Sequence, residues 1–293
     1  RNGHVSAAHW KNIKKFQKFT AKHPHIQPIL SVGGWGADGF SQAAASAQGR
    51  QTFVEDVLSI VRKYGFRGVD IDWEYPGSSD AGIQSSPEDR ENYTLLLQAL
   101  RAGLDALAVE DAQPYRLCVA LSASPYLIPN LECEKIGAVV DQVNLMTYDL
   151  QQNDVASHHT ALFSPASGAF CAADGVRAYR DAGIPAQRMM LGAAFYGHKW
   201  ATKVAEPLYQ PAKYKSTVTY TAIAKLLGKK PNAGLFDTAA QAPYYFDGKT
   251  FISYDDERSI AAKLAYAREN GLMGLFAWEY GGDTTGKLVQ ALC

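Results

Sequence analysis

The chain has no run of about 18 apolar residues, so nothing in it is long and apolar enough to cross a bilayer as a helix. It has no excess of either charge, with 29 Lys and Arg against 29 Asp and Glu. That balance favours neither nucleic acid nor an anionic membrane, and it suits a neutral polymer. Cysteine is sparse: Cys118, Cys133, Cys171 and Cys293 include no Cys-x-x-Cys pair, which argues against a zinc–thiolate site. Cys118 lies in an apolar run and reads as a buried thiol; the count leaves the redox compartment open. No secretory leader is visible, and the chain opens on Arg1-Asn2-Gly3 rather than Met, as expected of a processed or trimmed product.

What is present suffices for a large core: 293 residues, 47% of them hydrophobic. Length alone allows one or two domains, and a single α/β barrel of about 250 residues fits it.

The chain is organised around Gly68 to Pro76, Gly-Val-Asp-Ile-Asp-Trp-Glu-Tyr-Pro. Asp70, Asp72 and Glu74 alternate with Val69, Ile71 and Trp73. A period of two puts the three carboxylates on one face of a strand. Taken alone, this could be a half-buried strand with its acids in water. The flanks argue otherwise. Phe53, Val54, Val57, Leu58, Val61 and Tyr64 before it, and Tyr93, Leu96, Leu97, Leu100, Leu104 and Leu107 after it, fall at helical spacing. Helix–strand–helix is a crossover unit with a parallel strand, usually covered on both faces. The acid face is then expected to point into an enclosed interior. Three carboxylates there cannot all ionise cheaply, so a proton should be shared among them. Trp73, on the opposite face, reads as core.

Elsewhere, Trp10, Ile13, Phe16 and Phe19 predict a helix capped by Ser6. Ile29 to Trp35 is an apolar run opening into a Gly33-Gly34 turn. Further strands are expected at Leu117–Ser124, Val143–Asp149, Met189–Tyr196 and Leu272–Trp278, with a helix over Ile260–Asn270 capped by Asp255 or Asp256 and stopped by Gly271. The alternation predicts a (β/α) barrel, of which six strands are countable. Residues 199–250 break the rhythm: Val218–Tyr220 and Tyr244–Phe246 read as short strands and Ala222–Leu227 as a short helix, too much for an irregular loop.

The Gly68–Pro76 stretch closely resembles the signature of the family 18 glycoside hydrolases, the chitinases and their relatives, Asp-x-x-Asp-x-Asp-x-Glu at the end of barrel strand four. Asp70, Asp72 and Glu74 match its last three acids. Arg67 replaces the first, a change expected to touch stability rather than chemistry. Ser31 to Gly34 match the family's Ser-x-Gly-Gly, and Asp89 to Tyr93 resemble the start of its fourth helix. The resemblance spans residues 26 to 290. It implies a (β/α)8 TIM barrel made of residues 1–198 and 251–293, with a small α+β insertion at 199–250 that walls a cleft. The family's first two barrel strands would precede residue 1, so either the chain lacks them or something else closes the barrel.

The resemblance also implies chemistry. The acetamido oxygen of the substrate attacks the anomeric carbon, an exception to the usual two-carboxylate rule. Glu74 would be general acid and then base, Asp72 would orient the acetamide and stabilise its developing charge, and Asp70 would hold the shared proton. In Met146-x-Tyr148-Asp149, Tyr148 would steer the acetamide oxygen, with Met146 and Asp149 beside the sugar. Trp278 would floor the site, and Trp35, Tyr75 and Tyr196 would add sugar contacts; Tyr126 is a weaker candidate. Where the family often has Tyr-Gly-Arg, this chain has Tyr196-Gly197-His198. His158 and His159 read as loop histidines with no metal partner. Cys133 and Cys171, in loops after strands five and six, are placed where a disulfide is geometrically possible. No cofactor and no metal are expected. The expected partners are chitin and N-acetylglucosamine oligomers, not nucleic acid or membrane, and the expected state is a secreted monomer. Two alternatives stay open: a non-catalytic chitin-binding lectin, and an endo-β-N-acetylglucosaminidase acting on N-glycans.

Overall fold

The computed structural model describes residues 4–6, 10, 12–151, 154–164 and 169–292. Contacts divide the chain into two compact units, residues 1–143 with 182–188, and residues 144–181 with 189–293.

In the first unit, α1 (Ile13–Lys22) leads to β1 (Leu30–Gly33), α2 (Phe40–Ala44), α3 (Ala47–Tyr64), β2 (Gly68–Asp72), α4 (Asp89–Asp111), β3 (Arg116–Ser122) and α5 (Cys133–Val139). The strands β1, β2 and β3 are parallel, with Gly33 beside Asp72 and Asp70 beside Cys118. The apolar face of β2 carries the packing. Val69 and Ile71 are fully buried, and each such side chain is worth ~1.5–3 kcal/mol of transfer free energy. Trp73 is 1% exposed, stacked on Phe40 of α2 at 5.3 Å and edge-on to Tyr93 of α4 at 5.4 Å. It is core, as its strand parity requires.

The strand β4 (Gln142–Met146) leaves the first unit and enters the second. The second unit continues with β5 (Val155–Ala156), α6 (Ala172–Asp181), β6 (Met189–Ala194), β7 (Tyr196–Ala201), β8 (Gln210–Pro211), β9 (Lys213–Thr219), α7 (Tyr220–Lys229), β10 (Gly234–Asp237), β11 (Ala242–Phe246), β12 (Thr250–Ser253), α8 (Glu257–Glu269), β13 (Gly274–Trp278) and α9 (Lys287–Leu292). Here β6 and β13 are parallel, Ala194 lying beside Trp278. An antiparallel sheet follows the order β10-β11-β12-β7-β9, with α7 between two of its strands in sequence. Tyr220, Ile223, Tyr245 and Ile252 are its buried core.

All six strands expected from the apolar runs occur. Asp256 caps α8, accepting from the Arg258 and Ser259 amides, as the sequence predicts. The cap of the first helix is corrected. It starts at Ile13 with Asn12 at the cap position and no side-chain cap bond, and Trp10 packs on Tyr64 and Phe66 instead. The Cys133–Cys171 disulfide is also corrected. Both are free buried thiols: Cys133 opens α5, and the Cys171 Sγ–H donates to Asp174 at the start of α6. Cys118 is a buried thiol as expected; Cys293 lies outside the described residues.

Candidate active site

In the first unit, the candidate residues lie at the end of β2. Its neighbour β1 explains why the sequence there is Ser-x-Gly-Gly. The Ser31 hydroxyl donates to Asp70 Oδ2 at 2.9 Å, and the Gly34 amide donates to the Asp72 carbonyl at 2.8 Å. Gly33 has φ +122°, and a Cβ there would stand 2.0 Å from the Asp72 carbonyl oxygen. Only glycine allows that approach. The strand pair thus fixes the backbone under two of the three acids.

Asp70, Asp72 and Glu74 are half-buried, while Ser31 and Gly33 beside them are exposed. The acid face is therefore less enclosed than a strand covered on both sides would make it. It is still dry enough to perturb titration. Burial, then the charges of Glu74 and Asp70, push Asp72 up to about 7. Its Oδ1 is buried and has no hydrogen-bond partner. Next to it, burial and the Glu74 carboxyl raise the Tyr75 hydroxyl far above its usual range. The Glu74–Tyr75 peptide is cis. Tyr75 packs edge-on to Trp35 at 6.3 Å, and Trp35 is 66% exposed. The loop after Pro76 is pinned by Asp89, which the sequence had suggested only as a helix start. Its fully buried carboxylate accepts from Ser41 Oγ at 2.6 Å and from the Gly77 and Ser86 amides at 3.2 and 2.8 Å.

The second unit holds its own group of candidate residues. Tyr148 is buried, its ring between Tyr196 and Phe276, each at 6.0 Å between ring centres. Gly192 makes the room, since a Cβ there would meet the Tyr148 ring at 2.8 Å. Thr147 locks the level of this strand end by exchanging two 2.9 Å bonds with the Gly192 backbone. Beneath it, the fully buried Lys263 donates to Asp255, Thr160 and the Gly192 carbonyl at 2.7, 2.6 and 3.2 Å.

Asp149 sits at φ +59°, a left-handed conformation that Asp tolerates better than most. Its Oδ1 accepts from the Tyr196 hydroxyl at 2.8 Å and meets His198 Nε2 at 2.6 Å, with His159 Nδ1 at 3.8 Å. Burial works to raise this carboxyl, but the neighbouring His159 and His198 rings outweigh it and hold it well below the usual carboxylate range. His198 Nδ1 in turn lies 3.1 Å from the Tyr214 hydroxyl and 3.3 Å from Gln151 Nε2. Asp149, Tyr196, His198 and Trp278 line a pocket of about 370 Å³, together with Thr217, Thr219 and Glu279. Trp278 is 57% exposed and Met146 half-buried.

His158 and His159 lie in a loop, as the sequence reading has them. The reading of no metal partner changes: His159 is fully buried against Asp149 and His198, and the three form a cluster with metal-ligand spacing. His158 is buried too, 3.2 Å from Asp237. The sequence reading missed His159, His198, Gln151 and Tyr214 as one constellation; the only signal was His198 at the place where arginine is common.

The matching family is that described as glycosyl hydrolases family 18, whose model covers residues 1–283. The chain belongs to that family, and with it comes the α/β fold class of the TIM barrel. It is 36% identical to chitinase A1 of Niallia circulans over 96% of its own length and 44% of that relative's, so it spans less than half of that protein. Among solved structures it is similar to a family 18 N-acetylglucosaminidase from Paenibacillus barengoltzii, with TM-score 0.91, 37% identity, and coverage of 100% of this chain and 89% of that one. It is also similar to a class V chitinase variant from Nicotiana tobaccum in complex with NAG4, with TM-score 0.86, 28% identity, and coverage of 97% and 85%.

Proposed function

We propose that the chain hydrolyses β-1,4 bonds between N-acetylglucosamine units of chitin with retention of configuration, the acetamide of the substrate acting as nucleophile. The observation that carries this reading is Asp72. It is a carboxyl at the midpoint of its titration near neutral pH, flanked by two like charges, with a buried oxygen lacking a donor. A buried acceptor without a partner is costly, about 1–3 kcal/mol. The N–H of an acetamido sugar would satisfy it, and the positive charge that develops as the acetamide attacks would be stabilised by the carboxylate.

The roles follow. Glu74 protonates the leaving oxygen and then activates water. Asp72 holds the acetamide N–H, and Asp70 shares its proton. Tyr148 steers the acetamide oxygen. Trp278, Trp35, Tyr75 and Tyr196 offer flat surfaces to sugar faces, and Met146 and Asp149 complete the sugar contacts. Residues 1–198 and 251–293 form the catalytic barrel, residues 199–250 the insertion, and the protein acts outside the cell as a monomer in carbohydrate breakdown. The chitinases among its relatives and the N-acetylglucosamine oligomer bound by the tobacco protein support this substrate class.

A lectin without turnover is less favoured because Glu74 is present, and an endo-acting N-glycan enzyme because the region of residues 199–250 carries an antiparallel sheet. The test is product analysis on chitin oligomers and on a glycoprotein. Release of N-acetylglucosamine disaccharide, β-configured at first appearance, is expected from the former and nothing from the latter. Glycan release alone, or binding without new reducing ends, overturns the proposal.

A further inference from the structure

The proposed reaction uses Asp149 as a sugar contact but leaves His159 and His198 without a role. Each of the three offers one ligand atom, and these atoms lie within 4.8 Å of one another. Both imidazoles are buried, His159 at 0% and His198 at 5% exposure, whereas the Asp149 side chain is 53% exposed. We propose that Asp149, His159 and His198 bind a borderline divalent transition-metal ion, Zn²⁺ or a close neighbour, and that the bound ion inhibits the enzyme by taking Asp149 out of use.

Several observations support the ligand assignment. Two imidazole nitrogens and one carboxylate oxygen are the donor set that Zn²⁺, Ni²⁺ and Cu²⁺ prefer, and three protein ligands leave one position open. Hard ions such as Mg²⁺ and Ca²⁺ want six or more oxygens, which this cluster does not offer. His159 Nε2 is buried with no hydrogen-bond partner, so this ring is held less completely by the protein than a buried imidazole usually is.

The open side is the 370 Å³ pocket lined by Asp149, Tyr196 and His198, which gives an ion a route in. The outer shell is already in place. The Tyr196 hydroxyl holds Asp149 Oδ1, and Tyr214 and Gln151 face His198 Nδ1. Such partners orient ligating side chains and tune their basicity. On binding, His198 Nε2 must give up the hydrogen it shares with Asp149. That hydrogen moves to Nδ1, where the Tyr214 hydroxyl can accept from it, and the ring stays neutral.

Metal binding stands apart from the proposed function; only the inhibition rests on it. The test is a titration of the full chain with Co²⁺, read by its visible d–d absorption, followed by displacement with Zn²⁺, and an isothermal titration with Zn²⁺ alone. Wild type should bind about one equivalent, with Asp149→Asn and His198→Gln each weakening binding at least ~10-fold, the usual weight of one ligand-level contact. Zn²⁺ should also raise the melting temperature of wild type, since it would bind the folded state only, and should not raise that of either variant. No binding, or binding that both substitutions leave unchanged, overturns the site. Turnover of wild type should fall with Zn²⁺ and return on chelation, while His198→Gln, measured against its own metal-free rate, should resist. Stoichiometric binding with undiminished turnover overturns the inhibitory role and keeps the site.

Discussion

The two units hold their candidate carboxylates in opposite ways. On β2, Asp72 has like charges for neighbours and one oxygen with no donor, and its carboxyl is pushed up to about 7. In the second unit, Asp149 meets Tyr196 and His198, with His159 nearby, and is held well below the usual range. The residue type is the same; the environment decides which is protonated and which is a fixed anion. The first group has the features of a proton-handling centre, the second those of a fixed clamp.

Glu74→Gln breaks the first group most sharply. It keeps shape but removes the proton donor, so kcat on chitin oligomers should fall by the ~10²–10⁴-fold typical of lost acid–base catalysis while oligomer binding survives. Near wild-type turnover would remove Glu74 from the proposed role.

Lys263→Met attacks the support of the second group. Lys263 and Asp255 are both fully buried, and removing one partner leaves the other uncompensated. The expected loss is about 3–5 kcal/mol of folding stability, measured by denaturant unfolding. A loss under about 1 kcal/mol would show that the pair does not hold the strand ends in place.

Asp72→Asn sharpens the contrast through pH. The folded pKa of Asp72 is raised above its unfolded value, so its contribution to stability is fully present below the unfolded value of about 4 and is lost as pH rises through about 7. The variant cannot ionise there. Its melting temperature relative to wild type should therefore be higher at pH 8 than at pH 4. An equal difference at both values would mean that Asp72 titrates normally.

The smallest effect belongs to His198→Gln. It removes one of the donors to Asp149 and leaves the Tyr196 hydroxyl in place. A charge-assisted bond is worth ~1.5–3 kcal/mol when buried, and exposure of Asp149 reduces that. KM should rise several-fold with kcat changed less; an effect on kcat alone would place His198 in the chemistry instead.

The first unit's group was legible from sequence because its logic is local. Asp70, Asp72 and Glu74 alternate within one strand, and Ser31, Gly33 and Gly34 are contiguous on its neighbour. Parity alone placed Trp73 in the core. The second unit's group was not legible, because its members meet only through the fold: His159 lies 10 residues from Asp149 and His198 lies 49 away, on a strand of its own. A histidine in a loop gives no local sign that it will be fully buried. The disulfide expectation failed for a related reason. Placing Cys133 and Cys171 near matching strand ends says nothing of where the thiols go: Cys133 opens α5, and Cys171 lies just before α6, bonded to Asp174. The Ser6 cap failed because Trp10, counted as helical, packs on Tyr64 and Phe66 before the helix begins.

The central claim is that the acids of β2 share a proton near neutral pH. Carboxyl ¹³C NMR of aspartate-labelled protein, with Asp72 assigned by its absence from Asp72→Asn, tests it most directly. The account predicts an Asp72 midpoint of about 7, moving toward the ordinary aspartate value in Glu74→Gln as one like charge is removed. A midpoint near 4 in the wild-type chain, unmoved by that substitution, would contradict it.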